Sequence, residues 1–281
     1  MNPLVALAIV AVGVAGTVTL MLLVRHFVAP AGGFFTDPDR AAGVFGVTGT
    51  GFAVLLAFVI FLSFSSYDRA RDKASTEAVA VTELFSTAKL FSPGTGRQLH
   101  GELICYARAV IRDEWKTMRH GRGSPVVEDW LLRIERTIGG LQLRGEKQRV
   151  AYDHWFDESA ERREGRRGRL SEAESLVPPL VWLALLLGGA LIIAYMCFYA
   201  DPREPFFVQG LMMGAVTTMV VVGMLVVWFL DHPYKGASGS IKPTAMTMTL
   251  RRMEDESRAP GAAPSRLCDH RGRPRQASAS T

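Results

Sequence analysis

Thr50, Val54 and Phe58 stand one helical turn apart, and Phe61 falls near the same face, inside a stretch without a charged residue. Side chains of these types make and break no bonds. Repeated around an axis by several copies of the chain, they would form stacked apolar rings that control passage by excluding water. In a single copy the same stripe would face lipid or a neighbouring helix. Residues suited to catalysis are scattered by comparison. His26, His100, His120, His154, His232 and His270 include no two at the spacing of helical metal ligands, so surface or capping roles are expected and no metal site. The sequence has no nucleophile elbow, no Gly-x-x-x-x-Gly-Lys phosphate loop and no paired-cysteine motif. No catalytic residues, no cofactor and no enzymatic activity are therefore expected. The run Glu161-Arg162-Arg163-Glu164-Gly165-Arg166-Arg167-Gly168-Arg169 reads most simply as a solvated, salt-bridged helix face near anionic headgroups, and otherwise as an attractor of anions.

The elements that must position these residues are dominated by four nearly uncharged stretches, Pro3 to Val24, Gly43 to Ser66, Leu176 to Ala200 and Phe206 to Leu230. Each has the roughly twenty residues that a helix needs to cross about 30 Å of hydrocarbon. None shows the polar stripe of a helix that lies half in water. The first is read as a retained span, because it lacks the charged start and short apolar run of a cleaved signal. No ionisable group stands near the middle of any span, which disfavours a coupled transporter. It suits a channel with an apolar constriction or spans that serve as anchors.

Lysine and arginine set the expected orientation. Twenty lie between Tyr67 and Ser175 and nine after Leu230, whereas the connection ending at Arg40 and the turn from Asp201 to Pro205 hold few. The positive-inside rule then puts both termini and the middle region in the cytoplasm of a multi-pass inner-membrane protein. On that topology Cys105 and Cys268 face a reducing compartment and Cys197 lies in the bilayer, so no disulfide is expected. Net charge +5 and a pI near 9.3 suit a basic face beside anionic lipid better than a nucleic-acid partner.

Between the spans the periodicity is helical. The second span is expected to continue through Tyr67 to Lys73 as one helix, with Ala74, Ala78, Val81, Phe85 and Ala88 as a buried stripe, and to end near Ser92-Pro93-Gly94. Helices follow from about Gly96 to Arg119, from the Ser124 cap and Pro125 to Gly139-Gly140, and from Gly145 to Ser175, the last leading rigidly towards the third span. Pro178-Pro179 marks a break before that span. Gly43, Gly46, Gly49 and Gly51 invite close helix packing. The chain is thus expected to be an all-α membrane protein with four transmembrane helices in two pairs and a helical cytoplasmic domain inserted between the second and third. The divisions are 1–66, 67–175, 176–231 and 232–281, the last a basic, largely disordered tail from Glu254 onward.

Several motifs, taken in order, resemble the bacterial bestrophin-like domain family. They are Ser66-Tyr67-Asp68-Arg69-Ala70-Arg71, the Glu77-Ala78 step, Tyr106-Ala107-Arg108 with Glu114-Trp115, Val177-Pro178-Pro179-Leu180-Val181-Trp182, and Leu230-Asp231-His232-Pro233-Tyr234-Lys235-Gly236. The likeness spans about residues 40 to 250 and marks Tyr67, Asp68, Arg69, Glu77, Asp231, Pro233 and Gly236 as family positions. Through that name it implies a distant similarity to bestrophins, pentameric anion channels whose second span lines the pore with apolar and aromatic residues one turn apart. Val54 and Phe58 are similar to those neck positions. Where calcium-responsive bestrophins carry acidic residues after the last span, this chain has Lys235, Ser238, Ser240 and Lys242, so calcium gating is not implied.

The resemblance and the apolar stripe point to a homo-oligomeric channel in the lipid bilayer, passing small anions through a pore lined by the second span. The alternative is a non-conducting membrane scaffold or signalling protein whose cytoplasmic helices bind a partner.

Overall fold

The computed structural model describes residues 2–27, 35–199, 204–235, 239–258 and 267–275. They form helices α1 (Pro3–Phe27), α2 (Pro38–Thr87), α3 (Pro93–Ala109), α4 (Pro125–Gly139), α5 (Glu146–Ser171), α6 (Pro179–Cys197), α7 (Phe206–Leu230) and α8 (Thr244–Ser257). Among the described residues there is no strand, only one isolated bridge between Cys268 and Pro274. Four helices, α1, α2 with its short 3-10 continuation, α6 and α7, are long and apolar enough to cross a membrane. The chain divides into two compact units, one comprising 1–67, 175–232 and 237–239, the other 68–174, 233–236 and 240–281.

In the first unit α1 has its most extensive contact with α7. Thr217 donates to Thr17 across that contact at 3.1 Å, which satisfies two hydroxyls that lipid could not. Phe52, Leu56 and Val59 of α2 join Leu185, Ile192, Val220 and Val227 in an apolar cluster. Gly223 receives Leu56 where even a methyl group would be crowded, so α2 seats closely on that side. The glycines expected to promote such packing are placed otherwise. A Cβ at Gly43, Gly46, Gly49 or Gly51 would meet nothing within 4 Å of the described chain.

The double proline acts as expected. Pro178 is extended and α6 starts at Pro179, so the apolar stretch from Leu176 yields a helix only from its fourth residue. α5 ends at Ser171, which corrects the expectation that it runs rigidly towards α6.

In the second unit the long α2 continues without interruption, and Ala74, Ala78, Val81, Phe85 and Ala88 are all buried as their spacing requires. Ser92 caps α3, with Pro93 in its first turn, by accepting from the Thr95 amide. α3 passes at Val110–Glu114 into a π turn, then a single α turn and a 3-10 turn that Gly121 ends with φ +66°. Ser124 caps α4 through the Val126 amide, as its position before Pro125 suggests.

Two expectations for the tail are corrected here. Past Glu254, α8 continues to Ser257, and residues 267–275 return to α3 and α4. Trp130 donates its indole N–H to the Gly272 carbonyl, and Gly272 lies so close to the Ala109 backbone that a Cβ would collide with its nitrogen. This docking brings Cys268 to Cys105, and the two form a disulfide where none was expected. Their separation of 163 residues carries no motif, so only tertiary proximity reveals the pair. Cys197 stays a free, buried thiol.

Candidate functional site

The outward face of α2 is set by what the inward face must bury. At about 100° per residue, Phe52, Leu56, Val59 and Ser63 fall on one side of the helix and are buried. Thr50, Val54, Phe58 and Phe61 fall on the opposite side. The structure keeps all four together and leaves them exposed, Val54 at 64%, Phe58 at 62% and Phe61 at 65%. Gly43, Gly46 and Val47 extend the same stripe towards the start of the helix, with Val47 also exposed. The result is an apolar ribbon that the helix cannot cover within its own unit.

The family positions divide between the two units. In the first, Tyr67 donates its hydroxyl to the Gly239 carbonyl at 2.7 Å, with its ring beside Phe229. Asp231, buried just past the end of α7, accepts from the backbone amides of Leu176 at 2.8 Å and Val177 at 2.9 Å and from the Ser175 hydroxyl. One carboxylate thus holds the non-helical stretch that precedes α6, where prolines withhold two donors of their own.

In the second unit Arg69 pairs with Glu172 at 3.0 Å and Asp68 is exposed. Pro233 is buried and its carbonyl accepts from the Ile241 amide at 2.9 Å. Gly236 lies outside the described residues.

Glu77 is the centre of a buried cluster in the second unit. It accepts from the Tyr106 hydroxyl at 2.6 Å and from Arg169 through Nε at 2.6 Å and Nη2 at 3.0 Å. Arg169 Nη2 also reaches Glu114 at 2.6 Å, and Glu114 in turn takes Nη2 of Arg166 at 2.6 Å and the Ser124 amide at 3.1 Å. Arg166 adds Glu128 at 2.8 Å. The four central charges, Glu77, Glu114, Arg166 and Arg169, are buried and sum to zero. Burial alone pushes the Glu114 carboxyl up, but Arg169 and Arg166 outweigh it and hold the group below the usual carboxylate range. For Arg169 burial opposes the charge, and Glu77 and Glu114 more than reverse that, so its pKa rises above the ordinary value. Tyr106 is pushed up by burial and by the neighbouring Glu77. Glu114, Arg169 and Tyr106 therefore keep fixed protonation across physiological pH, which suits a rigid structural node rather than proton transfer.

This cluster corrects the reading of the 161–169 run as a solvated face. Glu161, Arg163, Glu164 and Arg167 are exposed, but Arg162, Arg166 and Arg169 point inward. Their i, i+4, i+7 spacing is an amphipathic signal in charged residues, legible in principle once arginine is allowed to face a core that contains glutamates. The close approach of α5 to α2 depends on Gly165, where a Cβ would stand 2.5 Å from the Glu77 nitrogen. Among the described residues no group of three or more His, Cys, Asp or Glu side chains is arranged to hold a metal ion.

The Bestrophin-like domain family matches residues 5–246 of the chain. The fold is similar to that of a bacterial Bestrophin homolog from Klebsiella pneumoniae, at 16% identity and TM-score 0.69, covering 90% of this chain and 99% of that one. A single-substitution variant of the same homolog gives 16% identity and TM-score 0.67 over 88% of this chain and 98% of its own. A crystal structure of another membrane-protein variant gives 16% identity and TM-score 0.70, covering 89% of this chain and 98% of its own. No curated protein matches by sequence.

Proposed function

Because the chain belongs to the Bestrophin-like domain family, a family of membrane proteins, we propose that it works as a homo-oligomeric channel for small anions, with α2 lining the pore. The observation that carries this reading is the ribbon from Thr50 through Val54 and Phe58 to Phe61, exposed on a helix whose other side is fully used. Apolar side chains of this size have two physical destinations in a membrane, lipid or a symmetry axis. An axis explains why glycines and Thr50 share the ribbon, since small residues widen the path before the aromatic ring positions close it. The basic second unit favours anions over cations on electrostatic grounds. No catalytic role is assigned to any residue.

In the arrangement proposed, α1, α2, α6 and α7 span an inner membrane, with both termini and residues 67–175 on the cytoplasmic side. Cytosolic glutathione and thioredoxin keep thiols reduced, so the oxidation state of Cys105 and Cys268 in intact cells reports the side. Quantitative oxidation in growing cells would overturn the proposed orientation.

The direct test is anion flux from proteoliposomes that hold the purified oligomer. Wild-type protein should conduct, Phe58→Ala should raise the flux by removing part of the constriction, and mass measurement in detergent should give several copies. A monomer, or the absence of flux in both proteins, would sink the channel reading and leave a scaffold in its place.

A further inference from the structure

Arg162 stands apart from the other inward arginines of α5. It is 5% exposed, yet its Nη1 is buried without a hydrogen-bond partner. Glu77 and Glu114 pair with Arg166 and Arg169, and Glu128 gives Arg166 a further partner, whereas Arg162 makes no ion pair among the described residues. Its guanidinium carbon lies over the Tyr106 ring, 5.6 Å from the centroid. A ring face satisfies the flat side of a guanidinium but accepts nothing from its N–H bonds, which lie in the plane. Leaving such donors dry is costly, and a buried polar group without a partner calls for a specific cause.

Arg162 lines a cavity of about 150 Å³ within the second unit. Leu84, Leu103, Ile134 and Trp155 form its apolar body, Ser159 stands one turn before Arg162 on the same helix, and the exposed Glu135 and Arg163 mark its outward side. Apolar space of about this volume accommodates a benzene-sized ring. A buried guanidinium beside a hydroxyl is suited to two carboxylate oxygens, which take its in-plane N–H groups pairwise.

We propose that this cavity binds a small monocarboxylate with an apolar body about the size of a benzene ring, its carboxylate paired with Arg162 and assisted by Ser159. Phosphate or chloride would satisfy the charge but leave the apolar body unfilled. A neutral compound of the same shape would fill the body and leave Arg162 unpaired. None of its residues lies on the α2 ribbon, so the proposal does not rest on the channel reading.

The test is isothermal titration calorimetry of the full chain in detergent with sodium benzoate, with benzamide as the neutral isostere. Benzoate should bind saturably, one per chain, and benzamide roughly ten- to a hundredfold more weakly, the range for loss of a hydrogen-bonded charge pair. Arg162→Gln should weaken benzoate by a similar factor. Ser159→Leu, which fills the cavity and leaves the arginine in place, should abolish binding and serves as the deciding variant if Arg162→Gln fails to fold. The proposal is overturned by no saturable benzoate binding at millimolar concentration, by equal affinity for benzamide, or by benzoate affinity that survives Ser159→Leu unchanged.

Discussion

Replacing Arg169 with methionine removes a guanidinium of zero exposure that makes ion pairs with both Glu77 and Glu114. The wild-type cluster of two carboxylates and two arginines is neutral. Arg169→Met leaves it with one uncompensated negative charge, and breaking a buried pair from one side costs about 3–5 kcal/mol. Glu77→Gln leaves the opposite surplus and costs about 1.5–3 kcal/mol through its charged hydrogen bonds. The double variant keeps Glu114 with Arg166 and is neutral again. It should therefore lose at least ~1.5 kcal/mol less than the two single losses together, within the range seen for residues that share a network. Urea titration in detergent, followed by tryptophan fluorescence, measures this, since Trp115 lies with its ring 5.1 Å from the Arg169 guanidinium. Additivity to within about 0.5 kcal/mol would mean that the two side chains do not act on each other, and the cluster could not be the node described.

Three further outcomes are expected. Gly165→Ala drives a methyl group into the Glu77 backbone and should cost roughly 1–3 kcal/mol of unfolding free energy, whereas Gly43→Ala, which meets nothing within 4 Å, should leave the urea midpoint unchanged or raised. Asp231→Ala strips the amides of Leu176 and Val177 of their acceptor, and a loss of about 1–3 kcal/mol per stranded donor should appear as a lower thermal midpoint, with hydrogen exchange at those amides accelerated. Glu102 has its carboxyl pushed above 4.5 by burial, against the opposing pull of Gln98, Thr137 and Arg133. The folded state binds this proton more readily than the unfolded chain. Its contribution is therefore fully present below pH 4.5 and is lost as pH rises through the folded-state value. Glu102→Gln should then be more stable than wild type at neutral pH, with the advantage vanishing below pH 4.5. A pH-independent difference in midpoint would refute that assignment.

The likeness between sequence and structure is uneven, and the unevenness follows the range of the interactions. The buried stripe from Ala74 to Ala88 was legible because helical periodicity repeats within a few residues, and the Ser124 cap because its partner amide is two residues away. The exposed grouping of Thr50, Val54, Phe58 and Phe61 was legible as one face. Which neighbours that face meets was not, since a Cβ on the glycines expected to draw helices together would meet nothing within 4 Å among the described residues. Arg162, Arg166 and Arg169 were misread as solvated because composition counts charges and cannot see that Glu77 and Glu114, far away along the chain, come back to neutralise two of them.

Taken alone, the order of residues determines four spans, an all-helical chain and the places where prolines interrupt it, because hydropathy, periodicity and missing backbone donors act over one or two turns. Tertiary structure alone decided that Cys105 meets Cys268, that Arg166 and Arg169 meet Glu77 and Glu114, and that Arg162 lines a cavity. Those outcomes depend on distances through space between residues separated by tens to more than a hundred positions, and no local pattern encodes them.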